Sequence, residues 1–227
     1  MFTAACYNIK CASLVGFDMS LIANDIKAVG ADIVGIQEVD RLTARNGKID
    51  TMPVLADCCN LNFYGFAKAM PYNGGEYGIG FLSRFRPENK YFHALPSMQG
   101  LEPRVYCSVQ LSIQQRPVCF VNTHLSYENT EIQKIQLKAL GNYLWSLDMP
   151  FVLTGDFNTD NFDVFENLGV PVTLMNNKNR IYRSFYPSNI AIDNIIISHS
   201  LKFVKTGMYT ATRNSDHYML YAQIDFI

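Results

Sequence analysis

An α/β fold, rich in strands and poor in helices, is what this sequence predicts. Three observations carry the expectation. Short runs of Val, Ile, Phe, Tyr and Thr recur along the whole chain, bounded by Gly, Pro, Asn and Asp. Apolar residues at three- and four-residue steps appear in only a few places. No Pro/Ser-rich linker or low-complexity stretch divides the chain, so residues 1–227 read as a single domain.

The elements follow in order. Strands are predicted at Thr3–Ile9 and Ile33–Gln37. Between them, Leu21, Ile22, Ile26 and Val29 line one face of a helix that Asp18 or Ser20 can cap. A short helix from about Met52 to Cys59 leads into strands at Phe63–Lys68, Gly78–Ser83, Tyr91–Leu95, Val105–Ile113 and Val118–Thr123. The longest helix starts near Asn129, where Ile132, Ile135, Ala139, Leu140, Tyr143, Leu144 and Leu147 fall at helical steps. Strands at Phe151–Thr154, Ile192–Ser198, Leu201–Tyr209 and Tyr218–Asp225 complete the set. One pattern repeats: strand, helix, strand, with polar residues where the strands stop. Asn8 precedes Glu38 by 30 residues, and Asn122 precedes Asp156 by 34. In α/β architectures such strand ends gather along one edge and form a site.

Composition narrows the function. Apolar residues make up 48% and charged residues 17%, which is globular and excludes a largely disordered chain. The net charge of −1, from 19 basic and 20 acidic side chains, does not favour a general nucleic-acid partner, although a local basic cleft stays compatible with it. Six cysteines form no CxxC pair, which argues against a zinc site or a disulfide framework. Reduced thiols, no signal-like start and no uncharged run beyond eleven residues predict a cytoplasmic protein without a transmembrane segment.

Several polar residues sit where burial would otherwise be expected. Asp193 lies inside Ile190-Ala191-Ile192-Asp193-Asn194-Ile195, where an acid is costly unless hydrogen-bonded or bound to a cation. Asp216 and His217 are adjacent ahead of a strand, so their side chains point apart and each needs its own partner. Asp193 suits His217, fixing its tautomer and leaving the other nitrogen free as a base. Glu38 and His124 end strands. In Gly155-Asp156-Phe157-Asn158, Gly155 is expected to permit a tight turn from which Asp156 and Asn158 project. Hard oxygen donors without a cysteine cluster suit Mg²⁺, with Mn²⁺ as the alternative. Such an ion beside two histidines fits hydrolysis of a phosphate ester by in-line attack of an activated water.

These blocks together resemble the endonuclease/exonuclease/phosphatase superfamily. The resemblance runs from Tyr7-Asn8-Ile9 through Ile36-Gln37-Glu38-Val39-Asp40, Asn122-Thr123-His124-Leu125 and Gly155-Asp156-Phe157-Asn158 to Ser215-Asp216-His217. Gln37-Glu38-Val39-Asp40-Arg41 and Gly74-Gly75-Glu76-Tyr77-Gly78 look closest to its small bacterial-type metal-dependent hydrolases. The resemblance implies a four-layer α/β/β/α sandwich of the deoxyribonuclease I type, acting on a phosphate-ester substrate. It implies Glu38 as principal metal ligand with Asn8 and Asp216 near the ion. Asp156 and Asn158 would orient water and phosphate, and His217, held by Asp193, would be the general base, with Asp156 as the rival proton acceptor. His124 would donate to a phosphate oxygen with Glu76 behind it, and Arg104 would contact the phosphate. Two departures stand at the rim: Gln133 replaces a common Arg, and Ala191-Ile192-Asp193-Asn194 replaces Arg-Ile-Asp-Tyr. Phosphodiester hydrolysis is the leading expectation. A nuclease and a catalytically silent phosphate-binding module are the alternatives.

Overall fold

In the computed structural model, which describes residues 1–227, β1 (Phe2–Asn8) is buried along almost its whole length. Continuous burial marks a strand covered on both faces. It pairs in parallel with β2 (Ile33–Arg41), and α1 (Met19–Val29) makes the crossover. Asp18 caps α1 by accepting the Ser20 N–H at 2.9 Å. Next come α2 (Thr51–Cys59), β3 (Phe63–Tyr72) and β4 (Gly75–Ser83). With β11 (Leu201–Tyr209) and β12 (Met219–Phe226) they form a sheet ordered β11-β12-β1-β2-β4-β3.

The second sheet repeats the plan. It comprises β5 (Pro87–Ala94), β6 (Val105–Ile113), β7 (Arg116–His124), β8 (Phe151–Asp156), β9 (Val172–Leu174) and β10 (Asp193–Ser198), in the order β5-β6-β7-β8-β10-β9. Here β7 and β8 are the parallel pair, joined through α3 (Thr130–Trp145). Each sheet thus has a central β-α-β unit flanked by antiparallel neighbours, as the repeated sequence pattern predicts.

Three apolar clusters set the layers. One of 22 buried residues, including Phe81, Phe120, Val109 and Ile195, lies between the sheets. A second packs α1 and α2 on the first sheet through Ile22, Ile26, Met52 and Leu55. The third packs α3 on the second sheet through Leu137, Leu140 and Leu144. The result is the α/β/β/α sandwich. No helix is long and apolar enough to cross a membrane.

Some expectations change. On α3, Ile135 is 43% exposed, while Gln133 and Gln136 face inward. Both glutamines are anchored: Gln133 Nε2 donates to Ser126 O and Asn158 O, each at 2.9 Å, and Gln136 accepts the Ser126 N–H at 2.9 Å and donates to Pro96 O at 3.0 Å. A satisfied amide is buried without the usual polar penalty, so it can take an apolar position in the pattern. The three-residue strand β9 and the 3₁₀ segments Lys10–Val15 and Phe162–Leu168 carry too little periodicity to be read. Gly155 makes no turn. It lies within β8, where a Cβ would stand 2.7 Å from Thr123 Cγ2.

Asn122, read as the counterpart of Asn8, does not reach the sheet edge. It is fully buried between the sheets. Its Oδ1 accepts from Gln37 Nε2 at 2.6 Å and Thr154 Oγ1 at 3.0 Å, and its Nδ2 donates to Ile36 O and Gly80 O. Gly35 makes room for this knot, since a Cβ there would stand 2.4 Å from Asn122 Oδ1. Asn122→Ala strands several buried polar groups, each worth roughly 1–3 kcal/mol. A loss of about 3 kcal/mol or more is therefore expected in denaturant unfolding. A change below about 0.5 kcal/mol, the range of inert surface substitutions, would mean that the knot does not hold the sheets.

Candidate active site

Strands β1, β2, β7 and β8 end at a common edge. A bulge between Ile36 and Val39 interrupts the pairing of β2 with β4, and Glu38 within it has φ +55°. Bulges re-aim side chains. Here the bulge turns Glu38 into a cavity of about 390 Å³, lined also by Lys10, Tyr77, Glu102, Arg104, His124, Tyr127, Asp156, Asn158, Phe185, Ile190, Ile192, Asp216 and His217.

Asn8 joins the two halves. Its Nδ2 donates to Glu38 Oε1 at 3.0 Å and to Asp156 Oδ2 at 2.9 Å. Its Oδ1 accepts the Lys10 N–H at 3.0 Å. Expected near the ion, Asn8 lies between the two acids. The amide presents its NH₂ to both acids and its oxygen is engaged, so Asn8 positions the carboxylates.

Asp156 and Asp193 stand directly opposite each other on β8 and β10, each 2% exposed. Facing like charges repel. His217 relieves them: Nδ1 lies 2.7 Å from Asp193 Oδ2 and Nε2 lies 3.7 Å from Asp156 Oδ2. The Asp193 partnership is the one expected from sequence. Burial works against the imidazolium, but the Asp193 and Asp156 carboxylates outweigh it and carry His217 up to about 10. Burial, then Asp193, pushes Asp156 up to about 7. That shift biases His217 toward the protonated, donor form before any ion is bound.

His124 is the opposite case. Its Nε2 lies 3.6 Å from Asp156 Oδ2, and its Nδ1 has no hydrogen-bond partner. Burial, followed by the positive charges of Arg104 and His217, holds its pKa well below the ordinary value. Glu76 does not stand behind it, which corrects that expectation. Side chains alternate along a strand. On β4, Tyr77 faces the cavity, while Glu76 faces away to Lys68 at 3.0 Å and Arg41 at 3.4 Å.

The remaining candidates converge. Asp216 pairs with the Lys10 ammonium. Asn158, at φ +52°, makes the turn assigned to Gly155. Its N–H donates to Asp156 Oδ1 at 3.0 Å and its Nδ2 to Leu125 O at 2.9 Å. Arg104, 4% exposed, lies 3.0 Å from Glu102, with Nε unpartnered. Gln133, at the first departure from the family pattern, donates to Asn158 O at 2.9 Å and so braces that turn. Asn194, at the second, exchanges hydrogen bonds with the Asn176 backbone.

Comparisons with known proteins bear on the family and the fold. The model described as Endonuclease/Exonuclease/phosphatase family matches residues 5–217. The chain belongs to that family. It is therefore grouped with phosphoric ester hydrolases. Among solved structures, an endonuclease/exonuclease/phosphatase from Beutenbergia cavernae DSM 12333 is 20% identical with a TM-score of 0.81, over 99% of this chain and 71% of that one. A mannosyl-6-phosphatase from Bacteroides thetaiotaomicron VPI-5482 is 19% identical with a TM-score of 0.74, over the full length of both. The human Nocturnin catalytic domain with bound sulfate is 20% identical with a TM-score of 0.75, over 100% of this chain and 94% of that one. A comparison with curated proteins gives no match.

Lys10, Tyr77, Glu102, Tyr127 and Phe185 were not read from the sequence. Only Lys10 carries a signal, a charge two residues past the end of a buried strand. The charge states make a direct expectation for this family member. In metal-free protein, proton NMR titration should find His217 protonated beyond pH 7 and His124 neutral at pH 6. Both raised groups have the same linkage sign. Stability from Asp156 is lost as pH rises from about 3.8 to about 7, and that from His217 between 6.5 and about 10. A His217 midpoint at or below 6.5 would overturn the assignment.

Proposed function

We propose that this chain is a Mg²⁺-dependent phosphoesterase that hydrolyses phosphodiesters, with Mn²⁺ able to substitute, and that residues 1–227 act as one domain. The observation that carries the reading is the convergence of Glu38, Asp156, Asp216, His217 and Arg104 on one cavity. Family membership and the phosphatase among its structural neighbours support it.

The donor chemistry fits a hard divalent ion. Glu38 keeps a carboxylate oxygen free after its bond from Asn8, and the Lys10 ammonium is the cation beside Asp216. Asp156, Asp193 and His217 also bring potential ligand atoms within 4.8 Å of one another. Those atoms already serve one another, and a cation among them would meet the His217 imidazolium. Glu38 and Asp216 are therefore the better holders. A bound Mg²⁺ would supply charge neutralisation on the phosphate and a more acidic water.

The chain's own groups do the rest. Asp156 has a proton affinity matched to neutral pH and accepts the proton of the attacking water. His217, fixed by Asp193, directs a positive Nε2–H toward the reacting centre. His124 offers a neutral imidazole, and Asn158 and Arg104 orient the phosphate. Arg104 is partly offset by Glu102, and Lys10 by Asp216. That balance suits a monoanionic diester better than a dianionic monoester. The overall charge of −1 does not favour a long nucleic-acid track. A silent binding module would not need every acid and imidazole retained.

Turnover of bis(p-nitrophenyl) phosphate in Mg²⁺ is expected, with loss in EDTA. Glu38→Ala should abolish turnover and metal binding together. His217→Ala should lower kcat by roughly 10²–10⁴-fold while the fold persists. Near-normal turnover by Glu38→Ala at saturating Mg²⁺ would contradict the assignment.

A further inference from the structure

Asp25 is a buried acid outside the cavity. It lies on α1, is 1% exposed, and has no lysine or arginine beside it among its hydrogen-bond partners. Its Oδ2 accepts Tyr7 Oη–H at 2.9 Å, and its Oδ1 accepts Thr212 Oγ1–H at 2.8 Å. Asn214 Nδ2 reaches both oxygens, at 3.1 and 3.0 Å. Burial and the neighbouring carboxylate push the Tyr7 phenol well up, so it stays a donor.

The partners are informative. Tyr7 precedes Asn8, the residue that sets Glu38 and Asp156. Thr212 and Asn214 lie in the loop that delivers Asp216 and His217. Between those strands of chain, Ser215 Oγ donates to Asn8 O at 2.7 Å, and the His217 N–H donates back to Ser215 Oγ at 3.3 Å. The 212–217 loop is thus stitched to the end of β1 at two levels: by Ser215 at the site and by Asp25 beneath it. Only a carboxylate accepts at both oxygens. An asparagine would set an NH₂ against one of three donors, and an alanine would strand all of them. A buried carboxyl group that gathers four hydrogen bonds from two separate segments does more than fill core volume.

We propose that Asp25 is a positioning residue that fixes the Asp216 loop against the Glu38 side of the cavity, and so sets the affinity for the divalent ion. The inference rests on the metal-dependent reading above. Groups hydrogen-bonded to a metal's ligands typically change metal affinity or activity by 10–100-fold when removed; Asp25 acts one step further out, through Thr212 and Asn214, so the low end of that range is expected.

Calorimetric titration of the full chain with Mn²⁺ tests it, comparing wild type, Asp25→Asn, Thr212→Val and Glu38→Ala, with denaturant midpoints measured alongside. Asp25→Asn should weaken Mn²⁺ binding by roughly tenfold, with a smaller loss for Thr212→Val. Its turnover should recover as Mn²⁺ is raised, and an unchanged denaturant midpoint in metal-free protein separates this from refolding driven by the ion. Unchanged Mn²⁺ affinity in a folded Asp25→Asn, with Glu38→Ala non-binding, would overturn the role of Asp25 alone. If Asp25→Asn does not fold, Thr212→Val decides, and wild-type affinity there overturns the proposal. Undiminished Mn²⁺ binding by Glu38→Ala, or none by wild type, would overturn the metal reading and this inference with it.

Discussion

The amide of Asn8 donates at once to Glu38 of the first sheet and Asp156 of the second, at 3.0 and 2.9 Å. Most of the site's geometry depends on that double contact. The sheets are packed through an apolar core that has no preference for register at its rim. Directional hydrogen bonds are needed to bring two carboxylates from different sheets to a common point. Asn8 does this at the edge, and Asn122 does the equivalent in the interior by binding Gln37, Thr154 and the backbone of β2 and β4. The repeated strand-helix-strand pattern thus provides two asparagines, Asn8 at the end of its strand serving the site and Asn122 two residues inside its strand serving the sandwich.

Charge is arranged with similar asymmetry. Two imidazoles flank Asp156 Oδ2 at 3.6 and 3.7 Å, yet they differ in state. His217 has Asp193 on its far nitrogen and becomes cationic. His124 has no partner on its far nitrogen, faces Arg104 and stays neutral. Similar distances thus give one charged donor and one neutral group. Asp156 is held between them with a proton affinity near neutrality.

Much of this was legible in the sequence, for identifiable reasons. An acid inside an apolar strand demands a partner, and a histidine whose neighbouring Asp216 points away from it demands one too; together these two rules lead from Asp193 to His217. Glu38, Asp156, Asp216, His124, Asn158 and Arg104 were legible from their order along the chain, and they share one cavity. What was not legible depends on side-chain direction. Whether Glu76 or Tyr77 faces the cavity is decided by strand register, and the bulge in β2 alters that register upstream. Which end of the Asn8 amide meets the acids depends on the Lys10 backbone. The burial of Gln133 and Gln136 on α3 carries no sequence signal, because their partners lie on distant loops. Asp25 was invisible for the same reason: within a helical pattern a solvated acid and a clamped one look alike.

One hard divalent ion held by Glu38 and Asp216 at the edge of the first sheet, facing Asp156 of the second, is what the proposed chemistry requires. Anomalous diffraction from crystals soaked in Mn²⁺ tests it most directly. One strong peak bonded to carboxylate oxygens of Glu38 and Asp216 is expected. A peak centred on Asp193 and His217, or none in the cavity at saturating Mn²⁺, would contradict it.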